Sequence, residues 1–160
     1  MQRDGQDSLR KNLVELLKTG NAHAAFDDAV EGIPPEHRGA KPSGSPHTLW
    51  QLVDHLRLAQ HDILEFSRDP KHQSGTFPDD YWPKEDAPPN DRAWSETIKR
   101  FHQDLDAFVG LLEDSKDLTA PIPHAPEGQS LLREALTLAD HNSYHLGQIA
   151  LLRKMLGDWK

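Results

Sequence analysis

An all-α fold, a four-helix bundle with a long ordered connection between its second and third helices, is what the sequence predicts. Three observations predict it. Apolar residues recur at helical spacing in four segments, those segments are separated by Pro- and Gly-rich connections, and no segment shows convincing strand alternation. At 160 residues the whole chain, 1–160, is expected to form a single domain, burying roughly 70% of its unfolded surface.

The first helix is expected from about Ser8 to Val30, with Leu9, Leu13, Leu16, Leu17, Ala24 and Phe26 on its apolar side and Gly20 interrupting it, ahead of Gly32-Ile33-Pro34-Pro35. The second is expected to start at Ser45-Pro46, a serine N-cap followed by proline at the first helical position, and to run to about Arg68. Its stripe is Leu49, Leu52, Val53, Leu56, Ala59, Ile63 and Phe66. The third has the cleanest pattern: Trp94, Ile98, Phe101, Leu105, Phe108 and Leu112 follow one another at steps of 4, 3, 4, 3 and 4, the seam of a bundle helix. The fourth is expected from about Ser130 to Leu156, with Leu131, Ala135, Leu138, Ile149, Leu152 and Leu156 inward and Gly157 as its stop. Between the second and third helices, residues 71–90 are proline-rich and carry Phe77, Tyr81 and Trp82. Such a length exceeds an ordinary connection, so an ordered, functional cover over one end of the bundle is expected. Pro121-Ile122-Pro123-His124 is expected to share that role.

Composition removes several function classes. A net charge of -8 argues against nucleic acid and anionic membrane surfaces, which need clustered Lys and Arg; small molecules are the expected partners. With no cysteine, disulfides, Cys-based zinc sites, iron–sulfur clusters and a cysteine nucleophile are excluded, and thiol chemistry would need an external thiol. The polar N-terminus and the lack of an 18-residue apolar run lead to a cytoplasmic expectation.

Three of the ten histidines carry the functional signal. His141 and His145 stand one helical turn apart, so they present two imidazoles to one ion. At about 100° per residue, His145 falls about 20° and His141 about 60° from Leu138, both on the apolar stripe or its edge. His55 lies about 60° from Leu52, at the stripe's margin, while His61 comes out about 180° away and is expected in solvent. If the second helix brings His55 alongside, three neutral nitrogens with an open fourth position result, the layout of a catalytic rather than a closed zinc site. Taken alone, His55 reads first as a hydrogen-bonded core histidine; the pair raises the case for metal, because one ion serves two buried imidazoles.

Asn142 stands beside the first histidine where H-E-x-x-H would have glutamate, so a zincin-type protease is disfavoured. Asp54 and Asp140, turned about 100° from their histidines, are expected to be solvated surface charges. Gln51, Asp62, Glu134 and Gln148 are the candidates to orient an imidazole through its other nitrogen. Trp50 and Trp94 are expected to pack; Tyr81 and Trp82 either pack on the bundle or line a pocket mouth. His47 and His124 flank the ligand-bearing helices as pocket-lining candidates.

With those residues in place, the chain resembles the DinB-like superfamily of four-helix-bundle metalloproteins. The resemblance rests on His55 in LWQLVDHLRLAQ and, 86 residues later, DHNSYHLGQI, where H-x-x-x-H-x-G-Q falls on His141, His145, Gly147 and Gln148; it spans the first helix through Leu156. It implies that His55, His141 and His145 hold a divalent metal, often zinc or nickel. Similar members include bacillithiol transferases and mycothiol-dependent maleylpyruvate isomerase, in which the metal activates a low-molecular-weight thiol. The family frequently has arginine after the last histidine; Leu146 stands there instead, so a role resting on that arginine does not carry over.

Three functions are consistent with this reading. The first is a metal-dependent transferase joining a small thiol to a small electrophile. The second is a metal-dependent hydrolase with Glu134 or Asp62 as base. The third is a non-catalytic metal-binding or stress-response protein. An exposed bundle face leaves homodimerisation open.

Overall fold

The computed structural model describes residues 2–159, with side-chain surroundings from residue 5 onward. Its helices are α1 (Gln2–Thr19), α2 (Phe26–Val30), α3 (Pro35–Arg38), α4 (Leu49–Arg68), α5 (Asp91–Asp114) and α6 (Leu131–Leu156). Among the described residues there is no strand, only an isolated bridge between Pro121 and Ser130. The four long helices close a ring in which α1 and α4 each pack on both α5 and α6, so the all-α bundle stands.

Three boundaries differ from expectation, the first being that α1 begins at Gln2, six residues ahead of Ser8. The first helix does not reach Val30: Gly20 takes φ +66° and Asn21 φ +48°, a left-handed pair that ends α1, and the chain restarts as the short α2. Glycine enters that region without a Cβ clash and asparagine is among the few other residues that do so readily. The second long helix starts three residues later than Ser45-Pro46 predicts. Thr48 is its N-cap, accepting from the Gln51 amide nitrogen at 3.1 Å while the Gln51 side chain accepts from Thr48 N at 3.1 Å. That reciprocal box satisfies two orphan donors, more than a lone serine does; the Ser45 hydroxyl instead donates to the His47 carbonyl. The short α3 was not anticipated.

The other two long helices follow their patterns. Asn90 caps α5, and all of its predicted seam residues are buried except the partly buried Ile98. Ser130 caps α6, and Gly157 closes it at φ +77°, the left-handed C-terminal conformation that glycine adopts most cheaply. Trp50 and Trp94 pack within the core with centroids 6.4 Å apart.

The core has two parts. One gathers Leu13, Leu64, Phe108, Leu112, Leu118, Ala135 and Leu138. The other gathers Phe26, Ile33, Leu49, Leu52, Val53, Leu56, Phe101 and Ile149, with Phe26 stacked on Phe101 at 3.7 Å. Phe108 is wholly buried, and Phe108→Ala is expected to cost about 3–5 kcal/mol, read as a lower denaturation midpoint with the helical signal retained at low denaturant.

From Leu49 to Leu56 every residue of α4 is buried, because α5 and α6 flank it while the 71–90 connection covers its N-terminal end. A single-stripe reading fails on such a segment. Asp54 is accordingly not a solvated surface charge: it is 7% exposed and accepts from Arg57 Nε at 2.6 Å and Thr97 Oγ1 at 3.1 Å. Asp140 is exposed as expected. Among the described residues no helix is long and apolar enough to cross a membrane.

Candidate metal centre

α4 and α6 pack side by side, and this brings His55 against the His141–His145 pair. His55 Nε2 lies 3.0 Å from His145 Nε2 and 3.0 Å from His141 Nε2. One nitrogen from each ring falls within 4.8 Å of the others, a set able to hold a metal ion. His55 is 4% and His145 7% exposed; His141 is half-buried. His61 is exposed and faces Asp104 across 3.0 Å.

The outward nitrogens decide what the inward ones can do. His55 Nδ1 donates to the Tyr81 carbonyl at 2.7 Å; a carbonyl only accepts, so the neutral ring carries its proton on Nδ1 and leaves a lone pair on Nε2. His145 Nδ1 meets Gln148 Oε1 at 2.7 Å, which fixes the same tautomer. Two lone pairs therefore face each other across 3.0 Å, where neither ring has a proton to share. That arrangement is repulsive between neutral rings and favourable around a cation, so the donor set fits a divalent ion.

Charge state agrees with that geometry. Burial lowers the pKa of His55 to about 4, with the neighbouring histidines adding to the shift and the Tyr81 carbonyl opposing it. Burial and then His145 lower His141 to about 4, and burial chiefly lowers His145. All three are neutral at pH 7, the state in which imidazole binds metal. In the metal-free protein the unfolded chain, with histidines near 6.5, binds more protons than the fold between about pH 6.5 and 4. Stability is therefore expected to be fully present above that window and to fall as pH falls through it, which thermal melts in the presence of chelator would show.

The 71–90 segment is the cover that its length predicts. Its Asp86 is bound to the start of α4, the backbone carbonyl accepting from Thr48 Oγ1 at 2.6 Å and the carboxylate from Gln51 Nε2 at 3.1 Å. Between these anchors and Tyr81, the Trp82 indole lies flat on His55, with centroids 3.8 Å apart and planes 5° from parallel, and His47 stacks on it at 4.0 Å. Trp82 both packs and walls the site. The Tyr81 side chain turns away towards Asp62, its phenol pKa raised by burial and then by that carboxylate.

Of the four residues expected to orient a ligand imidazole, only Gln148 meets a ring of the three-histidine cluster. Gln51 caps α4; Asp62 accepts from Ser74 Oγ and pairs with His72; Glu134 pairs with Arg133 at 2.7 Å. His124 lies apart from the histidine cluster in its bonding, meeting the Phe66 carbonyl at 2.8 Å. A cleft of about 160 Å³ is lined by His47 and Leu52 together with Leu151, Leu152, Met155 and Gln148, the last being the partner of His145 Nδ1. The Tyr81 carbonyl and the His47–Trp82–His55 stack were not foreseen. A backbone acceptor leaves no mark in a sequence, while the stack had one faint signal, an aromatic residue in an irregular segment.

Searches of curated proteins and of solved structures returned no match. A family model described as DinB superfamily matches residues 19–149. That span contains His55, His141, His145 and the cover, and the chain belongs to the DinB superfamily.

Proposed function

We propose that the protein is a divalent-metal-dependent enzyme in which His55, His141 and His145 hold zinc or nickel and an external low-molecular-weight thiol is transferred to a small electrophile. The observation that carries the reading is the pair of inward lone pairs 3.0 Å apart, each fixed by a partner on Nδ1. When bound, the ion supplies positive charge uncompensated by any ligand carboxylate, which lowers the pKa of a thiol at the open position. The Tyr81 carbonyl and Gln148 amide hold two rings in the ligating tautomer, and Trp82 keeps water from one face of His55. Lacking cysteine, the chain has no thiol of its own for this chemistry.

Hydrolysis is less well supported, because Asp62 and Glu134, its candidate bases, are committed to His72, Ser74 and Arg133. The Trp82 stack favours a second reading, a non-catalytic ion that ties α4 to α6 beneath the cover. Conjugation rates with bacillithiol, mycothiol or glutathione, in metal-loaded and chelator-stripped protein, separate the two. Faster conjugation in the loaded form is expected; equal rates would leave the non-catalytic ion ahead.

A further inference from the structure

Thr48, Gln51, His55 and Asp62, the cap of α4 and three of its residues, each bond to the 71–90 cover. Thr48 Oγ1 donates to the Asp86 carbonyl at 2.6 Å, and Gln51 Nε2 donates to the Asp86 carboxylate at 3.1 Å. His55 Nδ1 donates to the Tyr81 carbonyl at 2.7 Å. About two turns further on, Asp62 pairs with His72 Nε2 at 2.7 Å and accepts from Ser74 Oγ at 3.1 Å. At about 100° per residue all of them fall within about 40° of His55. Numbers fall along α4 as they rise along the cover, so the cover runs antiparallel to the helix on one polar stripe, over about 20 Å. The candidate ligand sits in the middle of that stripe.

Tyr81 reaches His55 through its backbone, so its place depends on how the chain is held on either side. After Tyr81, Asp86 is fixed to the start of α4. Before it, the chain from Ser74 is folded on itself: Asp80 Oδ2 accepts from the Thr76 amide at 2.7 Å, the Asp80 amide donates to the Thr76 carbonyl at 3.0 Å, and the Tyr81 amide donates to the Pro78 carbonyl at 3.0 Å. A Cβ added to Gly75 would lie 2.7 Å from Asp80 Cβ, so the turn has no slack at its start. Such a turn passes the position of Ser74 on to Tyr81, and Asp62 holds Ser74. Without Asp62 the Tyr81 carbonyl is located from one side only, and a hydrogen bond weakens steeply once its alignment is lost.

We infer that Asp62 is a positioning residue for the metal centre: by stapling the cover to the face of α4 that carries His55, it keeps the Tyr81 carbonyl on that ring's Nδ1. The inference rests on the metal-site reading for its purpose, and its first test needs no metal. Long-range proton–nitrogen correlation spectra of chelator-treated protein at neutral pH read the tautomer of His55. The Nδ1–H form is expected in the wild type, and a mixture with the Nε2–H form in Asp62→Ala. Asp62→Asn keeps an oxygen for His72 and offers an amide to the Ser74 hydroxyl, which accepts as well as donates; it is expected to restore the wild-type spectrum. His61→Ala removes the contact to Asp104 from the same helix but outside the stripe, and is expected to change nothing.

Asp62→Ala is also expected to bind zinc about fivefold more weakly, the lower end of what coupling between two sites amounts to. Coupling is reciprocal, so zinc is expected to slow hydrogen exchange at the Asp80 and Tyr81 amides of the wild type by at least that factor. The Ala120 amide, in a turn on the Asp117 carbonyl outside the cover, is expected to be unaffected. An unchanged His55 tautomer in Asp62→Ala, an equal loss of affinity in His61→Ala, or bound zinc that leaves the Asp80 and Tyr81 amides exchanging as before would overturn the inference. Failure of the wild type to bind zinc would overturn the site reading instead, and the tautomer in Asp62→Ala would still decide the role of Asp62.

Discussion

Replacing His145 with Ala is expected to lower zinc affinity by roughly two orders of magnitude. A structural zinc site in a small peptide is worth about 10–16 kcal/mol at pH 7, so one of four positions carries about 3 kcal/mol. His145 is the appropriate target because it is buried, sits 3.0 Å from His55 Nε2 and is oriented by Gln148. His61→Ala is expected to leave affinity unchanged, since His61 is exposed and faces Asp104 on the far side of α4. Competition against a chromophoric chelator, with circular dichroism confirming the fold, checks both. A comparable loss in the two variants would mean that the ion is not held where the three rings converge.

That contrast was legible in the sequence, and for a simple reason. The helical repeat alone separates His55 from His61, and it places His141 and His145 on one face; the structure needed only to pack α4 beside α6 to bring the three nitrogens together. The α5 seam, the start of α6 near Ser130 and its stop at Gly157 were legible on the same grounds, because each is a local pattern with a local cause. What escaped depends on neighbours. Asp54 reads as a surface charge until Arg57 and Thr97 enclose it. Likewise, Ser45-Pro46 carries a valid start signal that the Thr48–Gln51 box overrides. Gly20 was noticed as an interruption, but its left-handed φ turned an interruption into an end.

The cover was the least legible part of the site, since its position is fixed by single contacts rather than by a period. Residues 71–90 show their importance through length and aromatic content, yet nothing in them indicates that Tyr81 contributes its backbone and Trp82 its face. The sequence left both side chains either to pack on the bundle or to line a pocket mouth. The structure divides their roles: the Tyr81 phenol is directed to Asp62 while its carbonyl orients His55, and Trp82 covers that same ring.

Conjugation of thiol to electrophile is expected to drop to the uncatalysed background in His141→Ala, whereas Trp82→Ala is expected to lose activity only in part. His141 supplies one of three nitrogens, and without it the set cannot retain an ion tightly. Trp82 supplies none; its indole stacks on His55 and His47, and such aromatic contacts are worth about 0.5–1.5 kcal/mol each. Its removal is therefore expected to weaken zinc binding by at most about tenfold per contact, and to relax the choice of electrophile where the wall is lost. Trp82→Phe keeps a ring over His55 and is expected to recover most of the affinity. Rates measured across a series of electrophiles at saturating zinc separate the two effects, because saturation restores the ion but not the wall. If Trp82→Ala at saturating zinc were as inactive as His141→Ala, the indole would itself belong to the reacting centre, and its place as a cover would have to be abandoned.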